Sequence, residues 1–230
     1  RKPRKRHIFS LFNALALREF PVPNADELVT INQRVTGVER GSNNFSEFST
    51  AEYATYRDSS RTLSGVAGYG RYWTAALGPE SRQVVVSTPV TCDYFAVLQR
   101  QPTLGTGFAD RHCDSPSESA VTVITHDLWV DRFNSDPEIL GRTLTLNGNT
   151  FTVIGVAPEG FAGVDIERVS LFVPVSAQPL LRQDRDYFGD PSIGWLGLVG
   201  RRAPGASIAQ VRAELEVVAG RPHRDDELRR

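Results

Sequence analysis

Residues 141–161, reading GRTLTLNGNTFTVIGVAPEGF, constrain the fold of this chain more than any other stretch. Residues 143–146 and 150–156 carry β-branched and apolar side chains, and Asn147-Gly148 lies between them. That dipeptide supplies the positive φ angles of a tight primed turn, so the spacing predicts a hairpin. Gly155 within the second strand marks a bulge or a close backbone approach, and Pro158 ends the ladder because it has no N–H to donate. The tip carries no acid, base or nucleophile. The hairpin is a building unit, and function has to come from what it belongs to.

Around it, periodicity gives an alternation of strands and helices. Residues 28–35 alternate as a strand does, and Gly41-Ser42-Asn43-Asn44 reads as a loop. Ser49 with Glu52 forms a capping box ahead of a helix bearing Tyr53, Tyr56 and Arg57. Residues 66–77 and 83–90 are strand-like and flank Gly78-Pro79-Glu80-Ser81, so they pair most simply as a hairpin. Thr91 opens a short helix with Tyr94, Phe95 and Leu98, closed by Pro102. Far downstream, residues 195–201 are extended, and Ser207 with Gln210 forms a second capping box. Ile208, Val211, Leu215 and Val218 follow at intervals of three, four and three, one apolar stripe against a sheet. These pieces make a split βαββαβ unit with a terminal helix, an α+β fold of the ferredoxin-like kind. Residues 103–180 interrupt it with a strand at 120–125, a helix capped by Thr125 with Leu128, Trp129 and Phe133, the hairpin, and a strand at 169–175. Residues 109–118 and 182–194 are polar loops.

A chain of 230 residues that is 40% hydrophobic builds one large domain or two small ones. Five of the 26 basic residues are Arg1, Lys2, Arg4, Lys5 and Arg6, which leaves 21 against 27 acidic side chains. The body is thus mildly acidic, and nucleic acid is not expected as a partner. The chain begins with arginine and has no methionine, which reads as a piece of a longer protein. Residues 8–17, IFSLFNALAL, are about half the ~20 apolar residues needed to cross a bilayer as a helix. They read either as the outer end of a truncated transmembrane helix or as an amphipathic helix with Ile8, Leu11, Phe12 and Leu15 on one face. Cys92 and Cys113 permit one disulfide if the compartment oxidises.

Reactive constellations are scarce. Lysine is absent after Lys5, which excludes the GxxxxGK[ST] nucleotide loop. Gly65, Gly68 and Gly70 sit at the start of a strand rather than directly after one, and read as bend-permitting residues, against a dinucleotide fingerprint. Asp110, His112, Cys113 and Asp114 cluster but lack paired ligand spacing, so no metal or other cofactor is expected and a solvated loop is the reading. No GxSxG elbow occurs. His126 and Asp127 fall at a helix start, where capping and dipole roles prevail. Asp225, Asp226 and Glu227 lie in a charged tail, and Trp73, Trp129 and Trp195 occupy positions where burial is the default. No catalytic residue is assigned.

Several pieces, in this order, resemble one known family. They are FSTAEYATYR (48–57), DYFAVL (93–98), Leu104, Gly105 and Phe108, LWVDRF (128–133), the hairpin segment, FVPV (172–175) and PGASIAQVRAELEVVA (204–219). The chain resembles the MacB-like periplasmic core domain of FtsX-like ABC transporter permeases, particularly those that carry this domain twice. The resemblance implies an extracytoplasmic, non-enzymatic domain of a bacterial inner-membrane permease that follows the first transmembrane helix, assigning residues 1–19 to a basic segment and the end of that helix. It implies a Porter-like subdomain (20–102 and 181–220), a Sabre-like insertion (103–180) and a charged tail (221–230). Activity would be mechanical: ATP hydrolysis on a separate cytoplasmic subunit moves the domain and drives export, with a second permease copy or a homodimer as partner. A sensor or binding domain regulating a partner such as a cell-wall hydrolase is the alternative.

Overall fold

The computed structural model describes residues 12–13, 22–34, 45–78, 83–164 and 169–220. In chain order the elements are β1 (Phe12–Asn13), a 3-10 turn (Ala25–Glu27), β2 (Leu28–Ile31), β3 (Gln33–Arg34), β4 (Phe45–Ser46), α1 (Thr50–Ser59), β5 (Leu63–Gly70), β6 (Trp73–Ala76), β7 (Val84–Val90) and α2 (Tyr94–Val97). There follow β8 (Leu104–Gly105), α3 (Asp110–Asp114), β9 (Val121–Ile124), α4 (His126–Phe133), β10 (Thr143–Leu146), β11 (Asn149–Val156), β12 (Leu171–Pro174), α5 (Gln178–Leu181), β13 (Leu196–Arg202) and α6 (Ile208–Ala219).

One mixed sheet carries almost every strand, in the order β1-β2-β13-β5-β7-β12-β9-β11-β10. β13 is antiparallel to both β2 and β5, so these two run parallel to each other and α1 joins them across an intervening strand. β5 separates β7 from β13 in the same way. The fold is α+β, with two interleaved split βαβ units whose inner strands are β13 and β5. Both faces are covered. Val29, Leu198 and Val66 face α1 and α6, while Leu28, Val199 and Ala67 face α2.

Past β7 the sheet curls. β7 pairs with β6 on one side and β12 on the other, and β9, β11 and β10 follow. β10 then meets the end of β6 through the Leu77–Leu146 bridge and a bond from Gly78 N–H to the Thr145 carbonyl (2.9 Å). The strands β6, β7, β12, β9, β11 and β10 thereby close into a ring around Ile124, Ile139, Leu146, Phe151, Val153 and Val173.

The hairpin forms as its sequence dictates: Asn147 and Gly148 have φ of 48° and 83°, and a shift in pairing to β9 falls between Val153 and Gly155. A Cβ on Gly155 would meet the Thr106 carbonyl at 2.5 Å. Both capping boxes form, at Ser49/Glu52 and Ser207/Gln210. Several elements differ from the sequence expectation. The strand expected over 66–77 is two strands: a Cβ on Gly70 would meet Pro89 and the Trp195 ring, and the chain turns there from β13 towards β7. Only β6 makes the expected hairpin, for β5 touches β7 at Tyr69–Val90 alone and pairs along its length with β13. The strand expected over 28–35 also breaks, and Gln33–Arg34 pairs instead with β4. Thr91 does not cap α2; its hydroxyl accepts the Gly68 N–H (2.9 Å). Of residues 8–17 only Phe12 and Asn13 are described, and they are extended, pairing with Thr30 and Val29 rather than forming a helix. Residues 1–6, 41–44, 79–82 and 221–230, including Asp225, Asp226 and Glu227, lie outside the described residues. Among the described residues no helix is long and apolar enough to cross a membrane.

Candidate functional site

A cleft of about 450 Å³ opens where the ring meets the rest of the sheet, lined by Glu47, Arg71, Tyr72, Trp73, Arg182, Tyr187, Gly194 and Trp195. β6 brings Trp73 to it and the start of β13 brings Trp195. The two indoles stack nearly parallel, with centroids 5.8 Å apart. Trp195 is buried behind Trp73, and its N–H donates to Thr50 Oγ1 (3.3 Å). The Arg182 guanidinium lies over the Trp73 ring (6.0 Å) and the Tyr187 ring (5.2 Å). Its Nε and Nη2 donate to the two Asp184 oxygens (2.7 and 3.0 Å), and this fork holds the Asp184 carboxyl below its ordinary pKa. Arg71 pairs with Glu47 at 2.5 Å on the other side.

The loop bearing Tyr187 is built by one buried side chain. Gln178 donates from Nε2 to the carbonyls of Arg182 (2.5 Å) and Arg185 (2.7 Å) and accepts the Phe188 N–H (3.0 Å). The loop ends at Gly194, where a Cβ would strike the Glu47 carbonyl at 2.1 Å, so only glycine permits this backbone contact. Sequence reading assigned the loop polarity but not shape. Its signal was Tyr187-Phe188 inside an otherwise polar stretch.

The sequence candidates lie elsewhere. Cys92 and Cys113 are joined in a disulfide with Cα atoms 6.0 Å apart, tying the entry of α2 to α3. Asp110, Asp114 and the bridge border a smaller hollow of about 260 Å³ with Tyr53, Arg57 and Asp93. There the Tyr53 hydroxyl donates to Asp93 (2.6 Å); burial first, and that bond second, push the phenol above its ordinary pKa. His112 is turned inward, its Nδ1 accepting the Ala109 N–H (3.1 Å). Burial first, and Arg111 second, hold its pKa below the ordinary value against a pull from Glu118. Among the described residues no group of three or more His, Cys, Asp or Glu side chains is arranged to hold a metal ion. His126 packs edge-on against Trp129 (5.6 Å), and with Asp127 borders a separate hollow of about 230 Å³. Trp73 and Trp129 are half-buried, so of the three tryptophans only Trp195 is fully buried.

One buried charge was missed by sequence reading. Arg201 on β13 is 5% exposed and gathers the chain's entry segment: Nη1 bonds the Asn24 carbonyl (3.2 Å) and Glu27 (2.9 Å), and Nη2 the Pro23 carbonyl (3.2 Å). Its Nε donates to the Val97 carbonyl at the end of α2 (2.7 Å). The signal was present, since Arg201 shares its strand face with Val199 and so points at the α2 side.

The residues that carry the resemblance converge in the core. Tyr94, Phe95, Phe108, Phe161 and Phe172 come from four separate motifs yet form one aromatic cluster, with centroids between 5.4 and 6.4 Å apart. The family model for the MacB-like periplasmic core domain matches residues 8–218. The chain belongs to that family. Among solved structures it is similar to the periplasmic region of MacB from Actinobacillus actinomycetemcomitans, at 16% identity and TM-score 0.61 over 86% of each chain. It is similar too to the extracellular domain of the noncanonic ABC-type transporter YknZ from Gram-positive bacteria, at 16% identity and TM-score 0.53, covering 73% of this chain and 78% of that one. A permease domain from Porphyromonas gingivalis matches at 14% identity and TM-score 0.62, over 91% and 86%. No curated protein sequence matches. Four of the MacB-like motifs therefore act as packing signatures, their aromatic side chains filling one core.

Proposed function

We propose that this chain is the extracytoplasmic domain of a bacterial inner-membrane ABC permease and works mechanically, coupling ATP hydrolysis on a separate cytoplasmic subunit to export of a substrate. The observation that carries this reading is the Arg201 clamp, which fixes the segment entering the domain to β13 and to the end of α2. A contiguous route of strong contacts runs on from there. The other end of α2 follows Cys92, which is bonded to Cys113 on α3, and the His112 carbonyl on α3 accepts the Ser176 hydroxyl directly after β12 of the ring. A displacement of the entry segment thus has a stiff path to the ring.

In this reading residues 20–102 with 181–220 form a Porter-like body and residues 103–180 a Sabre-like one, with β6 and β7 lent by the first to close the ring of the second. A second permease copy or a homodimer completes the transporter, and no catalytic role falls to this domain. The test is the Arg201→Gln variant in the full permease with its ATP-binding subunit. Transport should fall while ATPase activity persists, because the clamp lies in the coupling and not in hydrolysis. Unchanged transport with the variant folded would overturn the coupling role.

A further inference from the structure

Mechanical coupling does not require an aromatic cleft with arginines on two sides, yet one is built at the edge of the ring. We propose that the cleft binds an amphipathic carboxylate: a planar or apolar body on the aromatic wall and one carboxylate on Arg182. The inference is independent of the coupling reading and goes beyond it.

Four observations support this ligand. Arg182 is preorganised, since stacking on Trp73 and Tyr187 and the fork to Asp184 fix its plane while Nη1 has no hydrogen-bond partner among the described residues. With the bidentate fork taken by Asp184, Nη1 is the donor left for a ligand carboxylate. Across the cleft, Arg71 is 77% exposed and its pair with Glu47 is of the weak, exchangeable surface kind. The body of the ligand has a surface to meet, because Tyr72 stands 44% exposed at the rim beside half-buried Trp73 and Tyr187. The volume of about 450 Å³ suits a small molecule or a single terminal residue, well within the ~300–1,000 Å³ of ordinary ligand sites. A cationic ligand is disfavoured because the aromatic faces already carry a guanidinium.

A free aromatic acid and the C-terminal carboxylate of an unfolded peptide share this chemistry. Two of the chain's three tryptophans are in the stack, so fluorescence excited beyond phenylalanine absorption reports the cleft. The probes are N-acetylphenylalanine, its amide, and a tetrapeptide ending in phenylalanine with a free or an amidated terminus, titrated into the 230-residue chain, with calorimetry as the second readout. The expected result is saturable binding of an acid form, weakened about tenfold on amidation and by a similar factor in Arg182→Gln at unchanged melting temperature. Tighter binding of the single residue points to a small-molecule ligand, and tighter binding of the peptide to a chain terminus; either supports the site. Equal binding of acid and amide, binding unaffected by Arg182→Gln and by Tyr187→Ala, or no heat and no signal at millimolar probe overturns it.

Discussion

In the ring, each strand has a partner on both sides, whereas at the other end of the sheet β2 is covered only by the two-residue β1. The ring closes through a turn. Asn147 accepts the Ala76 N–H on Oδ1 (2.8 Å) and donates to the Leu181 carbonyl (3.1 Å), so one loop side chain fastens β10 to β6 and α5 together. The open end is held by helices on both faces and by Arg201, whose partners are backbone carbonyls and Glu27 of the entering chain. Closure makes the first region resistant to local opening, while in the proposed reading the second contains the contacts through which a pull on the chain would arrive. In that reading the difference separates a body from its handle.

Emptying the ring should have the largest effect. Phe151→Ala removes a fully buried ring from its core and should cost about 3–5 kcal/mol in denaturant unfolding. Next comes the tie between the regions. Replacing Cys92 and Cys113 by serine releases a loop with a sequence separation of 21, worth about 3 kcal/mol on the chain-entropy account. Thiol labelling of the unreduced chain should modify neither cysteine; modification of both would remove the bridge from the route.

At the handle, Arg201→Gln leaves buried carbonyls without donors and should destabilise by about 2 kcal/mol. Amide exchange should quicken first across residues 22–31, and uniform quickening through the ring would break the distinction between the two regions. At the seam, Asn147→Ala forfeits two hydrogen bonds and strains a φ of 48°, for about 1–2 kcal/mol, with exchange rising at Ala76 and Gly78 before β9.

The smallest effect is one of pH. His112 is held below its ordinary pKa in the fold, so the unfolded chain takes up a proton first. Its contribution is complete above about pH 6.5 and is lost as pH falls through the folded value. His112→Asn keeps an acceptor for the Ala109 N–H but does not titrate, and should flatten the fall in melting temperature over that window. Glu214, which burial would raise but hydrogen bonds from Thr62 and Arg61 hold low, acts in the same direction in a more acidic window.

Local chemistry was legible in the sequence. The Asn147-Gly148 turn, both capping boxes and the α6 stripe depend on neighbours a few positions away, and each formed as read except that Ile208, the first residue of the stripe, is only half-buried while Val211, Leu215 and Val218 are buried. The break at Gly70 and the ring closure were not legible, because they depend on Trp195, Pro89 and β6 meeting across long separations. The cleft was hidden for the same reason. Trp73, Arg182, Tyr187 and Trp195 have no common spacing, and burial was the sound default for each tryptophan. The resemblance supplied what periodicity did not, since its scattered aromatic residues mark one core.

The proposed mechanical reading implies that the ring shifts against the rest of the domain during transport. It is tested most directly by an engineered cysteine pair joining β6 to the loop 182–194 in the full permease, with the Cys92–Cys113 bridge retained. The account predicts that oxidation stops transport, leaves ATP hydrolysis running and is reversed by reductant. Full transport with the new bridge formed would contradict it.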